Sequence, residues 1–407
     1  MSKRIPSLFA VLLTVSLGCD NDDDTPISTP LVTISADASF NTSDSDDWAV
    51  VHDENGVMLD FKSFESDQIM DLSTSQQVSG NIGVTLIRHF TANDVEYTYV
   101  NSYLNIGKGE IVVLKTDLSF PPGVSGALTM SISDLTAVDH STIGSRLGAS
   151  GTSRWNNITK TLDLRTDTFA GITKYIVSLS DGSQLRYKEL GNVPPNEFLG
   201  FSISNMLPFD TEVNFTFPSC NNVVLNVSAS EPDPSAKPNA YGLVSHSNYD
   251  SHTHSSMKAG YLNNLTNYKT RLILTYSDFG YEFLDIGSIP NVDIVWPLKS
   301  DFTIPETSIQ NFRANATTTF LWRASTWSYV NSGHVVNWNV FGSTNSQVLT
   351  ELPSEITDQY PELALTNQQH AYTTFYTRSS YSKYIHSIFA GESDPPGLRL
   401  GIKILTK

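Results

Sequence analysis

The chain has 407 residues, 39% of them hydrophobic and only 16% charged, with a formal net charge of −17. That length exceeds one ordinary domain of about 100–200 residues. The acidic balance argues against nucleic acid, whose phosphates need a basic surface, and the presence of only two cysteines excludes a disulfide-dense scaffold and a cysteine-rich zinc site.

At the start, Lys3 and Arg4 precede the apolar stretch Leu8–Leu17, which ends in Gly18 and Cys19. The stretch is too short for a hydrocarbon core, which takes about 20 residues. A charged start, a short apolar run and a small residue instead mark a secretory signal over residues 1–18. Ser16-Leu17-Gly18-Cys19 resembles the bacterial lipobox, with Ser16 where that motif usually carries Leu. The acidic run Asp20-Asn21-Asp22-Asp23-Asp24 behind it resembles the export signal of Bacteroidota surface lipoproteins. These resemblances imply that Cys19 carries lipid. They also imply a protein anchored to the outer membrane, facing the cell surface, with membrane lipid as its first partner. Each buried CH₂ of an acyl chain contributes about 0.8 kcal/mol, so acyl chains can hold a soluble body without a spanning segment. Residues 19–30 read as a lipidated cysteine and flexible acidic tether.

From Leu31 onward the pattern is β. Trp48–His52 and Val57–Phe61 flank Asp53-Glu54-Asn55-Gly56, a hairpin signal whose type I′ turn needs positive φ at both central residues. Val84–Ile87, Val95–Val100 and Ile111–Leu114 follow as short β-branched or aromatic runs separated by turn residues. Residues 31–118 read as one β-sandwich. Its apolar-DENG-apolar hairpin resembles the small Ig-like or carboxypeptidase-regulatory modules of Bacteroidota surface proteins. A second β region, 119–230, opens near Phe120-Pro121-Pro122-Gly123. It contains Leu128–Ile132, a hairpin around Asp181-Gly182 between Tyr175–Leu179 and Leu185–Tyr187, and Val223–Val227. Residues 231–238, with three prolines, read as a linker.

In the last region, 239–407, Arg271–Tyr276 is a strand. Residues 312–323 alternate with period two, as in a half-buried antiparallel strand. Val336, Trp338 and Val340 repeat the pattern, and Pro353–Asp358 suits one helical turn. No sustained 3.6-residue period appears after the signal. The expected fold is all-β: two or three antiparallel β-sandwich domains in tandem behind a lipoprotein signal and acidic tether.

Catalytic motifs are absent, including Gly-x-Ser-x-Gly, a phosphate loop and His-Glu-x-x-His. His246, His252 and His254 are the nearest approach to a metal-ligating set, since His252 and His254 share a strand face. A Ser/Asn-rich segment beside a linker offers little rigid support, so no metal is expected there, and no cofactor beyond the lipid on Cys19. Trp327 and Tyr329 share a face near a turn and are the candidate stacking platform for a sugar ring; Trp322 and Trp338 read as core. Asp44, Asp46 and Asp47 read as a solvated acidic loop, with Ca²⁺ as the competing reading. Cys220 reads as inert. The expected function is a surface binding or scaffold lipoprotein for a glycan or an outer-membrane protein, leaning away from an enzyme. The alternative is a surface hydrolase with a metal or carboxylate site in the C-terminal region.

Overall fold

A computed structural model describes residues 29–40, 44–115, 123–181, 184–220, 222–232, 240–248, 254–290, 294–392 and 397–405. Cys19 with its signal and acidic run, most of the 231–238 segment, and His252 lie outside the described residues. The described protein is mostly β, 61% strand against 7% helix, in several mixed sheets. No helix among the described residues is long and apolar enough to cross a membrane.

A twelve-stranded sheet organises the molecule. At one end it takes Tyr241–Asn248, Asn222–Ser230, Thr266–Thr275, Phe279–Gly287 and Gly397–Leu405. It continues through Gln369–Tyr376, Trp322–Asn331 and His334–Gly342, and ends with Val95–Ile106, Ile82–Ala92, Ser45–Asp53 and Met58–Phe64. The sheet therefore runs across the boundaries expected at 119 and 231–238. Two halves distant in sequence join where His334–Gly342 pairs in parallel with Val95–Ile106. Parallel pairs also join Thr29–Ala36 to Glu110–Leu114, and Val124–Ser133 to Glu197–Ser202. The expectation of purely antiparallel sheets fails at these three places, where the intervening chain is long enough for the crossover that a parallel pair requires.

Both faces of the long sheet are covered along much of its length. On Ser45–Asp53, Ala49 and Val51 face one core while Val50 faces another, so this strand lacks the alternation of a half-exposed sheet. The first core lies beneath the three-stranded sheet of Gln68–Thr74, Thr29–Ala36 and Glu110–Leu114, and is closed by helix Tyr381–Phe389. That helix is two turns long and buries Tyr381, Ile385 and Phe389 at every fourth position. So short a run escaped the 3.6-period reading. The opposite core is centred on Phe215, Phe283, Trp327 and Trp338. A third core lies between two smaller sheets built from residues 124–208 and holds Met130, Leu164, Val177 and Leu179.

The middle β region docks on the edge of the long sheet through small residues. A Cβ added at Gly144 would lie 1.9 Å from the Gly242 carbonyl oxygen, so only glycine permits this approach. Thr142 Oγ1 accepts from Ser245 N at 2.9 Å, and Ser178 donates to the Leu243 carbonyl, so the contact is hydrogen-bonded as well as close.

Local expectations hold in part. The 45–64 hairpin forms, but only Gly56 in its turn has positive φ, at 83°. Gly56 N donates to the Asp53 carbonyl, and the Asp53 carboxylate accepts from Asn55 N and Val57 N, so the turn is a bulged three-residue loop rather than type I′. The alternating run 312–323 is interrupted after Arg313–Ala316, and the next strand starts at Trp322. The helical turn forms at Ser354–Thr357.

The pairing order sets an expectation for fragments. His254–Tyr261 pairs with Thr211–Cys220, and Thr266–Thr275 pairs with Asn222–Ser230, both partners lying before residue 231. A fragment of residues 239–407 therefore loses its strand neighbours at one end and Val95–Ile106 in the middle. It should show neither a cooperative thermal transition nor protected amides. A cooperative melt of the isolated fragment would defeat this expectation.

Candidate functional site

A polar recess of about 210 Å³ lies where the middle β region meets the long sheet, and histidines from three strands converge on it. Asp139 and His140 stand at the entrance to strand His140–Ser145. His246 lies near the end of Tyr241–Asn248, and His254 opens His254–Tyr261. Gln184, Asn214 and Lys258 complete the polar wall. The docking through Gly144 and Gly242 is what brings His140 beside His246, with ring centroids 5.2 Å apart and planes at 68°.

The recess has a fixed electrostatic arrangement. Asp139 Oδ2 lies 3.4 Å from His140 Nδ1. The hydrogen bond to His140 holds the Asp139 carboxyl below its usual range despite partial burial, with help from the fields of His140, His246 and His254. His140 is 7% exposed, and its Nε2 is buried with no hydrogen-bond partner among the described residues. A buried ring nitrogen without a partner costs about 1–3 kcal/mol, so His140 Nε2 is an unsatisfied polar atom on a side chain that lines the recess.

Of the histidines singled out from sequence, the structure brings His246 and His254 to one recess. It adds Asp139 and His140, which sequence reading missed. Nothing in the Asp139-His140 dipeptide marks it locally; it matters because the fold places it against His246.

The aromatic platform does not form. Trp327 is fully buried, its Nε1 donates to the Thr307 carbonyl at 2.8 Å, and Phe312 packs edge-on against it. Both ring faces are therefore closed to a sugar. Tyr329 packs half-buried against the same core and accepts a hydrogen bond from Asn331 Nδ2. Trp322 and Trp338 are core residues, each 1% exposed.

The acidic group at 44–47 splits. Asp46 accepts from the Tyr360 hydroxyl, whereas Asp47 is buried, accepts from Ser45 Oγ at 2.6 Å and lies 3.8 Å from Arg88 Nε. These partners occupy the carboxylates separately, so they do not form one calcium cradle. Cys220 is buried on a strand, and burial pushes its thiol up, the opposite of an activated nucleophile. No protein-family model matches the chain, and comparison with curated proteins gives no significant match.

Proposed function

We propose that the protein is a lipid-anchored binding protein of the bacterial outer membrane, held by acyl chains on Cys19, with the His140–His246 recess as its ligand site. The lipobox-like start supports the anchor. The unpartnered Nε2 of His140, a residue that lines a recess walled by a carboxylate, amides and imidazoles, carries the binding reading. Such a wall of fixed donors and acceptors suits a hydroxyl-rich ligand of saccharide size rather than an apolar one. Binding is assigned to this recess rather than to aromatic stacking, because Trp327 offers no open face.

The test uses the full chain purified in detergent without a polyhistidine tag. On a glycan array it should retain a defined subset of saccharides, and His140→Ala should weaken that retention about tenfold, the effect of one hydrogen bond of roughly 1.4 kcal/mol. Cys19→Ala should move the protein out of the detergent phase without changing retention. Retention unaffected by His140→Ala would remove the recess as the site. Tightly held metal that disappears in a His140→Ala/His246→Ala double variant would replace the binding reading with the hydrolase alternative.

A further inference from the structure

A second group of side chains lies away from this recess, at the parallel seam of the long sheet. Glu96 and His334 are direct partners in the register of the parallel pair, at the starts of their strands. Glu362 comes from the short turn Pro361–Leu363, which packs beside the His334 strand. One ligand atom from each of the three residues lies within 4.8 Å of the others. Gln368 Nε2 donates to the Glu362 carbonyl at 2.7 Å, which fixes the turn that presents Glu362.

Two features of the group are unexplained by ordinary hydrogen bonding. The Glu362 side chain is largely removed from water, the residue being only 9% exposed, and its Oε1 has no hydrogen-bond partner among the described residues. His334 Nδ1 lies 2.9 Å from Glu96 Oε2, yet it has no hydrogen bond of acceptable geometry. Two atoms that approach this closely without aligning as donor and acceptor are arranged like neighbouring ligands of one ion; adjacent positions of an octahedron with bonds of about 2.1 Å are roughly 3.0 Å apart. Among the described residues no Lys or Arg pairs with Glu96 or Glu362. An uncompensated buried carboxylate is costly, and paired charge or a metal ion is what offsets it.

The geometry points to a divalent transition-metal site formed by Glu96, His334 and Glu362. Two carboxylates and one imidazole suit Zn²⁺ or Mn²⁺, and the absence of sulfur disfavours Cu⁺. Glu362 is the pre-placed ligand. Glu96 and His334, with side chains 44% and 38% exposed, have room to close by rotation. A cation held there ties together two strands that enter the long sheet from opposite ends of the chain. It binds the native pairing and not the unfolded chain, so it raises stability with concentration.

The test is titration of the untagged, chelator-stripped full chain, in detergent, with Zn²⁺ alone and with Mn²⁺ alone, followed by calorimetry and thermal unfolding. The expected result is saturable binding of one equivalent, with a melting temperature that rises with cation. His334→Ala and Glu362→Gln should each weaken binding by more than about tenfold, a loss reported even for groups one shell further out. Glu362→Gln also removes a buried charge, so it should melt no lower than the wild-type protein without metal, which separates ligand loss from misfolding. His386→Ala, on the exposed side of helix Tyr381–Phe389, should bind as the wild type does. Absence of saturable binding, or binding that both His334→Ala and Glu362→Gln leave unchanged, would overturn the assignment.

Discussion

Replacing Arg323 by Ala should destabilise the protein by about 3–5 kcal/mol, among the largest effects of any single truncation in the long sheet. Arg323 is fully buried, and no carboxylate pairs with it among the described residues. Its charge is instead spread over neutral acceptors. Nε donates to the Thr344 carbonyl at 2.9 Å, Nη1 to Ser325 Oγ at 2.9 Å and Nη2 to Gln347 Oε1 at 2.7 Å. The guanidinium also sits 4.4 Å from the centre of the Phe312 ring. Burial pushes its pKa down to about 9, a measure of how poorly the site replaces water.

Truncation to Ala leaves a cavity and strands these acceptors, each at about 1–3 kcal/mol if water does not reach it. Arg323→Met separates the two contributions. It fills the space but strands the same acceptors, so it should recover only the cavity contribution and lose less than Arg323→Ala does. Urea unfolding followed by tryptophan fluorescence reads both, since Trp327 packs on Phe312. An Ala variant within about 0.5 kcal/mol of wild type, the range of ordinary surface changes, would show that the network carries no net stability.

Stability should fall as pH drops from about 6.5 to about 4, and His370 should account for much of the fall. Burial, then the neighbouring Arg323 charge, lowers its pKa to about 4 from an ordinary value of 6.5. Its Nε2 lies 2.9 Å from Thr373 Oγ1, and Thr373 in turn donates to Ser325 Oγ at 2.8 Å, so the ring belongs to the Arg323 network. Between those two pKa values the unfolded chain binds a proton that the folded ring refuses. The contribution is therefore complete above about pH 6.5, shrinks through the window and changes no further below about 4. A shift of this size corresponds to at most about 3.5 kcal/mol, less in practice because the ring keeps some contact with solvent.

His52, whose pKa burial also lowers, adds a loss of the same sign. Asp139 behaves differently. Its folded pKa lies below 3.8, so its contribution is present above that value and disappears only at lower pH, outside the His370 window. His370→Gln should flatten the dependence between pH 7 and 4.5, leaving the loss due to His52 and the opposing gain from Asp47 and Asp285, whose pKa values burial raises. Arg323→Met should also flatten it, by letting the His370 pKa rise. Denaturation midpoints at the two pH values check this, and a His370→Gln variant with the full wild-type slope would rule it out.

Several strands were legible in short windows of sequence. Alternation in Val336, Trp338 and Val340 is a property of a few adjacent residues, and strand His334–Gly342 buries all three. The Asp53–Gly56 turn was equally legible, because its chemistry is contained in four residues; only its type was misjudged, since the Asp53 carboxylate stabilises a bulged loop that backbone preference alone does not specify. The burial of Trp322 and Trp338 followed from their apolar neighbours.

What each strand meets depends on the folded chain as a whole. Trp327 and Tyr329 looked like an open face at a turn, but the Phe312 segment and Thr307 fold over the indole and close it. His140 and His246 face one another only because Gly144 and Gly242 let two sheets touch at backbone distance. Glu96 and His334 become neighbours only through a parallel pairing between strands from opposite ends of the chain. The reason is physical. Side-chain alternation is set by the local backbone and is written in every short window. Strand order is set by which apolar faces must be covered together, and that is a property of the whole chain.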